Sequence, residues 1–218
     1  MNPHDRLNAD ITGCQACPRL RAWCVQVAAE KRASFRDDDY WGLPVPNFGD
    51  PDATLLIVGL APAAHGANRT GRMFTGDRSG DWLYRSLHAI GAANQPHATD
   101  RGDGLALRGA LITAVNHCAP PGNKPTPEEM DACSVHLQRT LALRPWRAVL
   151  CLGGIAWDRF HKTLGEKPQM KFGHGVESTS VTGLRVFGCY HPSQQNTFTG
   201  RLTQPMLEQV LARWWACR

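Results

Sequence analysis

The sequence predicts an α/β fold in which helices cover a parallel β-sheet. Two observations lead to this fold class. Apolar runs rich in β-branched residues alternate along the chain with segments of helical periodicity, the order typical of strands joined by helices. The chain has 218 residues, of which 42% are hydrophobic, so it is long and apolar enough to bury a core. We expect residues 1–218 to form a single domain.

The apolar runs give the strands, and the segments between them give the helices. We predict strands at residues 53–59, 109–115, 147–152 and 184–190. We predict helices near residues 19–32, 80–90, 127–143, 155–164 and 204–216.

The helix at residues 127–143 has the clearest start. Thr126 can cap it, Pro127 suits the first helical position, and Glu129 completes a capping box. Residues 94–104 are polar and contain several glycines, which indicates a loop. Residues 35–52 hold three prolines and are expected to form an irregular but packed surface segment.

Three unusual segments follow predicted strands, at residues 59–66, 116–125 and 191–196. In an open parallel sheet, ligands bind beyond the carboxyl ends of the strands. We therefore expect these three segments to converge on one cleft, which is the first indication of a functional site.

Composition limits the environment and the partners. The apolar runs are shorter than a membrane span, and the polar N-terminus lacks the apolar stretch of a signal peptide, so we expect a cytoplasmic protein that does not enter membranes. The net charge of +5 is a mild bias toward polyanions such as nucleic acid.

The chain contains eight cysteines, which a reducing compartment should keep from forming structural disulfides. Cys14 and Cys17 form a C-x-x-C pair, and the fold can bring them beside Cys118 and Cys133. Four thiolates suit either a tetrahedral zinc ion or a [4Fe–4S] cluster, and an incidental C-x-x-C is the alternative. Of the other four, two lie in predicted strands and should be small buried hydrophobic residues, whereas two in helical stretches receive no role: Cys151 and Cys189, then Cys24 and Cys217.

Four motifs together resemble the uracil-DNA glycosylase superfamily, and most closely its family 5, the broad-specificity iron–sulfur enzymes. They are Gly-Leu-Ala-Pro at 59–62, Arg-Thr-Gly-Arg-Met-Phe-Thr-Gly-Asp at 69–77, Cys-Ala-Pro-Pro-Gly-Asn-Lys-Pro-Thr-Pro at 118–127, and His-Pro-Ser at 191–193. The resemblance extends from Cys14 to about Arg201. It implies a three-layer α/β/α fold with a central four-stranded parallel sheet.

The resemblance also implies a cofactor and a set of site residues. A structural [4Fe–4S] cluster would be held by Cys14, Cys17, Cys118 and Cys133. Phe74 looks like the aromatic ring on which a flipped base stacks. The residues that match those implicated in the family's chemistry are Asp77, Asn123 and His191.

This sequence departs from the uracil-specific relatives at two places. They carry an acidic residue in the first motif to position a water molecule, whereas Leu60 and Ala61 stand here. They carry an asparagine that reads the uracil edge, whereas Ala114 stands here. A small apolar wall formed by Ala61 and Ala114 rejects few bases, so we expect action on uracil and on other deaminated bases such as hypoxanthine.

Each site residue also has a structural interpretation. His191 can be a turn histidine, Asp77 a helix cap, Asn123 an ordinary turn residue and Phe74 part of the core. For the chemistry, His191 is the preferred donor to the departing base, and Asp77 can support the sugar cation or orient water.

Phosphate contacts are expected from four basic side chains and two uncharged ones, with an ordinary solvated surface as the alternative: Arg69, Arg72, Lys124, Arg201, Ser193 and Asn196. No lysine lies convincingly at the cleft centre, so we expect a monomeric, monofunctional glycosylase without lyase activity. Its partner would be DNA that contains uracil or another deaminated base. The rival interpretations are a non-catalytic, metal-stapled nucleic-acid-binding module and an electron-transfer protein, the second disfavoured by the cysteine spacing.

Overall fold

A computed structural model describes residues 1–218 and contains one six-stranded mixed sheet. Its strands are β1 (Phe48–Gly49), β2 (Leu55–Gly59), β3 (Ala110–Ala114), β4 (Ala148–Leu152), β5 (Glu177–Thr179) and β6 (Arg185–Cys189). The α-helices are α1 (Pro3–Thr12), α2 (Pro18–Glu30), α3 (Ala67–Thr70), α4 (Arg78–Ala89), α5 (Pro127–Leu141), α6 (Gly154–Thr163), α7 (Gln194–Phe198) and α8 (Gln204–Trp215).

The four predicted strands form the parallel centre of the sheet. The strand order is β1-β3-β2-β4-β6-β5, and every pair among β3, β2, β4 and β6 is parallel. β2, β3 and β4 are buried along their whole length, as continuous apolar runs in a covered sheet should be. The predicted four-stranded parallel sheet is therefore confirmed. Two short antiparallel strands, β1 and β5, extend its edges.

Helices cover both faces of the sheet, which confirms the three-layer α/β/α arrangement. Alternate residues of the strands point to opposite faces, as the pleat requires. On one face Ile57 and Leu150 pack with apolar residues of α4 and α8, including Tyr84 and Trp214. On the other face Val58, Val149 and their neighbours pack with α5 and α6 around Trp157.

The five predicted helices are present as α2, α4, α5, α6 and α8, with ends within two residues of the predictions. The capping box of α5 is confirmed: the backbone N–H of Glu129 donates to Thr126 Oγ1 at 3.3 Å, and the Thr126 N–H donates to Glu129 Oε2 at 2.8 Å. Residues 94–104 contain no helix or strand, as expected of a loop.

Three helices were not predicted, and the longest of them is α1. Asn2 caps it by accepting a hydrogen bond from the Asp5 N–H at 2.8 Å, and Pro3 occupies the first turn. Leu7 and Ile11, four residues apart, bury one face of this helix. None of the helices is long and apolar enough to cross a membrane.

Candidate active site and metal centre

The carboxyl ends of the parallel strands form one edge of the sheet, and three loops leave from it. Residues 60–66 follow β2, residues 115–126 follow β3, and residues 190–193 follow β6. β4 ends there too. Gly153 follows it as the N-cap of α6, and its φ of +99° is a conformation that favours glycine. A methyl group at Gly153 would lie 3.6 Å from His191 Cβ, so the turn after β4 packs against the loop after β6.

Phe74 and His191 meet at this edge. Their ring centroids are 5.7 Å apart and their planes are inclined by 30°. The Phe74 ring also covers Gly59 at the end of β2, where a methyl group would lie 3.0 Å from Cζ. The loop before α4 and the loop after β6 therefore share one cleft at the end of β2, whereas the predicted convergence of residues 116–125 on it stays a prediction.

The backbone of Phe74 is held in a rare conformation. Its φ is +53°, a left-handed value that is costly for an aromatic residue and is found mostly at functional sites. Neighbouring groups fix it: Tyr84 Oη donates to the Met73 carbonyl at 2.6 Å, and a methyl group at Gly80 would overlap the Phe74 carbonyl oxygen. The first turn of α4 thus sets where the Phe74 ring lies.

The close approach of Gly80 to the Phe74 carbonyl predicts the effect of a Gly80→Ala substitution. Inside a helix, alanine normally stabilises by about 1 kcal/mol over glycine. Here the methyl group would collide with the backbone of Phe74, so we expect a loss of about 1–3 kcal/mol in the free energy of unfolding and a displaced Phe74 ring. Denaturant unfolding checks this result. Gly173→Ala is the matched control, because a methyl group there meets nothing within 4 Å, and equal stabilities for the two variants would contradict the account.

Asp77 is the N-cap of α4, as its structural interpretation predicted. Its Oδ1 accepts from the Gly80 N–H at 3.0 Å. Its Oδ2 faces the loop after β2, where a methyl group at Gly66 would overlap that oxygen. Burial raises the pKa of Asp77 above its ordinary value, against the lowering effect of backbone hydrogen bonds. Asp77 therefore caps α4 and also borders the loop after β2. From this position its carboxylate can also act in the cleft.

His191 presents an imidazole without a protein partner. None of the hydrogen bonds in the structure uses its ring nitrogens, whereas its carbonyl accepts from Asn196 Nδ2 at 2.8 Å. Burial lowers the pKa of His191 to about 4. The ring is therefore neutral at neutral pH and carries one N–H that is free to donate to a ligand.

Ala61, Ala114 and Asn123, which were predicted to belong to the site, differ in burial and in their position relative to the Phe74–His191 contact. Ala114 is buried at the end of β3, paired in register with Gly59, and belongs to the same apolar cluster on which Phe74 packs. Ala61 is half-buried in the loop after β2. Asn123 is exposed at φ +58° in a turn after β3, and none of its hydrogen bonds reaches Phe74, Asp77 or His191. Its role in the chemistry stays a prediction.

Arg69 and Arg72 are placed differently from the prediction that they contact phosphates. Arg72 is 4% exposed and forms a two-pronged salt bridge with Asp103, at 2.8 and 2.7 Å. The guanidinium group of Arg69 donates hydrogen bonds to the Asp38 carboxylate and to the His65 and Gly76 carbonyls. Because both guanidinium groups are buried and paired, they brace the loop that carries Phe74, and this placement argues against the predicted phosphate contacts.

The remaining predicted DNA contacts are exposed or half-buried, and their contact with DNA stays a prediction. Arg201 is exposed, with its guanidinium 4.5 Å from the centre of the Tyr190 ring, and Lys124 is exposed beyond β3. Ser193 is the half-buried N-cap of α7. Asn196 uses its amide to hold the backbone of His191, so it positions that loop.

Two side chains near the cleft were missed by the sequence reasoning. Arg78 follows Asp77, and its guanidinium lies 4.8 Å from the centre of the Phe198 ring, which is 66% exposed. The signal for Arg78 was its place beside Asp77. Tyr40 was also missed, and its Oη is 2.9 Å from His65 Nδ1, which ties the irregular segment before β2 to the loop after it.

The four predicted metal ligands line a single cavity. It is bounded by Cys14, Cys17, Cys118 and Cys133, together with residues that include Arg21 and Pro44. Burial first, and then the neighbouring Cys118, Glu129 and Cys14, raise the pKa of Cys17 to about 11. The fold therefore brings the N-terminal C-x-x-C pair beside the two later cysteines, although 101 positions separate Cys17 from Cys118 in the sequence.

An ion pair holds the two parts of the cysteine cavity together. Arg19, in the first turn of α2, donates to both carboxylate oxygens of Glu129 at 2.7 Å each. Glu129 is also the capping residue of α5, so one carboxylate joins the beginnings of two helices that carry cysteines. Cys17 is itself the N-cap of α2, and the positive end of a helix dipole favours a thiolate there.

Several buried polar atoms around the cavity lack hydrogen-bond partners. Arg21 Nε, Asn116 Oδ1, His117 Nε2 and both ring nitrogens of His136 are buried without partners, and all four residues line the cavity. Buried polar atoms are nearly always paired, so a cluster of orphans indicates a ligand. No three or more Cys, His, Asp or Glu side chains are close enough to bind a single metal ion as they stand.

The other four cysteines fall into two groups. Cys151 and Cys189 are fully buried in β4 and β6, as predicted for small hydrophobic residues. Cys24, for which the sequence suggested no role, is buried against Cys118 and Ala119 and donates to the Ala119 carbonyl at 3.6 Å. Cys217 is half-buried at the C-terminus, where Arg185 donates to its sulfur at 2.9 Å.

Comparison with known proteins gives concordant matches. The model of the uracil DNA glycosylase superfamily matches residues 46–215. The type-5 uracil-DNA glycosylase of Mycobacterium leprae is 53% identical over 208 residues, covering 94% of this chain and 91% of that protein. The protein of the same name from Mycobacterium bovis is also 53% identical and covers 94% and 78%. The type-5 uracil-DNA glycosylase of Thermus thermophilus is 48% identical over 203 residues, covering 92% of each chain.

Proposed function

The chain belongs to the uracil DNA glycosylase superfamily, and we propose on that premise that it removes uracil from DNA by hydrolysing the N-glycosidic bond. Its relatives are named type-5 uracil-DNA glycosylases. The observation that carries the proposal is the meeting of Phe74 and a neutral, unpartnered His191 in the cleft, with ring centroids 5.7 Å apart. We further propose that the enzyme acts as a monomer in the cytoplasm and begins base excision repair.

The reaction requires the base to leave the helix first. Extruding a nucleotide costs a few kcal/mol, which contacts in the pocket must repay. Phe74 supplies an aromatic face for the extruded base, and its left-handed backbone holds that face in place before DNA arrives. Ala114 provides the small apolar floor beside it. Arg201 and Lys124 are exposed, and we propose that they contact the phosphates that flank the extruded nucleotide.

Cleavage then separates charge. The bond between C1′ of the sugar and N1 of uracil breaks, and its electron pair stays on the base, so the base departs as an anion and the sugar becomes cationic. The N–H of His191 can donate to a uracil oxygen and stabilise the anion. Its low pKa is compatible with this role, because a neutral imidazole still carries one N–H that can polarise an oxygen. The Asp77 carboxylate can stabilise the sugar cation, and the oxygen of a water molecule then bonds to C1′ and loses a proton.

A base-release assay tests this function and its breadth. We expect free uracil and an alkali-labile site from a uracil-containing duplex. Because Ala114 leaves no polar group unpaired when the base changes, we also expect slower release of hypoxanthine from a matched duplex. Release confined to uracil would refute the broad specificity alone. A protein–DNA adduct trapped by borohydride would refute the proposal that the enzyme is monofunctional.

We also propose that Cys14, Cys17, Cys118 and Cys133 hold a structural [4Fe–4S] cluster. The unpartnered donors of Arg21 and His136 suit a cluster that is negatively charged together with its thiolate ligands. Four thiolates around a cluster are kept apart by its iron and sulfide atoms, whereas four around one zinc ion are close together. We choose the cluster over zinc because it is the cofactor that the family resemblance implies. The cluster would join the N-terminal helices to the sheet, away from the reacting bond.

Removing one of these ligands gives a direct prediction. We expect the purified protein to be brown, with about four iron and four sulfide ions per chain. Cys133→Ser should lose most of the iron and unfold at a lower temperature, because metal binding contributes to folding. Cys217→Ser, at the surface near the C-terminus, is the matched control and should retain its iron. A colourless protein with one zinc ion per chain would contradict the proposal.

A further inference from the structure

Two buried histidines line the cysteine cavity, and neither belongs to the proposed ligand set. His117 is 1% exposed and His136 is 5% exposed. Their ring centroids are 5.6 Å apart, with planes at 83°. His117 directly precedes Cys118 at the end of β3, and His136 lies three residues after Cys133 on α5, on the same face of that helix. Each histidine therefore lies close in sequence to a cysteine that lines the same cavity.

The two rings differ in what they can donate. His117 Nδ1 lies 2.7 Å from the Val45 carbonyl oxygen, which only accepts, so Nδ1 carries the proton. In the neutral ring Nε2 is then a lone pair, and it is buried without a partner. His117 has no N–H left for a ligand in the cavity.

His136 has no hydrogen-bond partner at either ring nitrogen. An imidazole carries at least one N–H in either protonation state, and a buried N–H without an acceptor is rare because it costs free energy. The structure thus shows a donor that faces the cysteine cavity and lacks its acceptor.

Three kinds of acceptor border the cavity: the sulfur atoms, His117 Nε2 and Asn116 Oδ1. The last two are neutral groups. Sulfur atoms of thiolates or of a cluster carry negative charge, and hydrogen bonds to charged acceptors are about twice as strong as those between neutral groups. The sulfur atoms are therefore the preferred acceptor.

We propose that His136 is a positioning residue for the cluster and donates its ring N–H to a sulfur atom of the cluster or of its cysteine ligands. The inference rests on the proposed cluster and is independent of the proposed base release. A hydrogen bond to sulfur stabilises the more negative, reduced form of a cluster, so it raises the reduction potential. His136 would also fix the orientation of the cysteine ligand one turn away.

Two substitutions of similar size separate donation from packing. His136→Leu removes the N–H, and His136→Gln replaces it with an amide N–H. The midpoint potential of the cluster is measured without DNA by a redox titration followed by electron paramagnetic resonance, on samples matched in iron and sulfide content. We expect a lower potential for His136→Leu and a potential near that of the unmodified protein for His136→Gln. Equal potentials for all three proteins would overturn the proposal.

A second measurement uses the unmodified protein and covers the case in which His136→Leu does not fold. Histidine labelled with ¹⁵N in its ring should show a weak coupling to the reduced cluster in electron–nuclear double resonance spectra, because the imidazole N–H lies against sulfur. Absence of any ring-nitrogen coupling would overturn the proposal. A protein that contains no iron and sulfide would overturn the cluster and this inference together, while leaving uracil release to be judged by its own assay.

Discussion

Replacing His191 with alanine is expected to lower the single-turnover rate of uracil release by about a hundredfold to a thousandfold, the effect of removing one donor to a developing anion. The ring nitrogens of His191 have no hydrogen-bond partner in the protein, so the substitution leaves no other hydrogen-bonding group unpaired. We therefore expect binding of the same DNA to change little. Single-turnover release with enzyme in excess over a uracil-containing duplex measures the chemical step.

The control for this prediction is His88→Ala, which removes an exposed histidine from α4 and should leave the rate unchanged. The result also separates an enzyme from a non-catalytic nucleic-acid-binding module. A His191→Ala protein that binds DNA normally and releases uracil at the original rate would show that this side chain has no part in catalysis.

Asp77→Asn is expected to lower the rate by about a hundredfold by removing one negative charge from the cleft. Asparagine caps helices as well as aspartate does, so the hydrogen bond to the Gly80 N–H can persist. Folding raises the pKa of Asp77, which means that its ionised form destabilises the fold once pH exceeds that pKa. At neutral pH the Asp77→Asn protein should therefore be no less stable than the unmodified protein, even though it is less active.

The matched variant is Asp77→Ala, which removes both the charge and the cap. It should lose about 1 kcal/mol in the free energy of unfolding as well as activity. The pH dependence supplies another check, because release by the unmodified enzyme should fall as pH decreases through the raised pKa of Asp77, and this fall should be absent in Asp77→Asn. If Asp77→Asn keeps full activity and only Asp77→Ala is impaired, Asp77 is a cap and not a catalytic residue.

The centre of the fold was predictable because its signals are local. The four parallel strands are continuous apolar runs, and a fully covered sheet requires such runs. The start of α5 was predictable from three adjacent positions that satisfy the backbone groups of its first turn. The short edge strands β1 and β5 were missed, since two or three residues of mixed burial carry no periodic pattern.

The site was only partly predictable, because several side chains depend on distant partners. Arg69 and Arg72 have the sequence context of surface arginines. In the structure each forms a salt bridge with an aspartate 31 residues away, Asp38 and Asp103 respectively, and is buried. The rule about strand ends predicted the place of His191, whereas the family resemblance predicted that Phe74 would belong to the same site. Their exact contact, however, depends on the close approach of Gly80 to the Phe74 backbone, which only coordinates reveal.

The cysteine cavity was likewise only partly predictable from the sequence. The C-x-x-C spacing suggested two candidate ligands, the predicted fold added Cys118 and Cys133, and the family resemblance implied the [4Fe–4S] cluster. His136 carries no signal in the sequence, where it is one histidine on a helix face. Its importance appears only when both ring nitrogens are found buried and unpartnered beside four cysteines.

The central claim is that Phe74 and His191 together receive an extruded uracil. The most direct test is a crystal structure of the protein bound to a duplex that carries a 2′-fluoro analogue of deoxyuridine, in which fluorine destabilises the sugar cation and slows cleavage. The account predicts a uracil ring outside the helix, against the Phe74 ring, with a His191 ring nitrogen about 2.6–3.2 Å from a uracil oxygen. An extruded base held elsewhere, or a uracil that remains stacked in the duplex at this cleft, would contradict it.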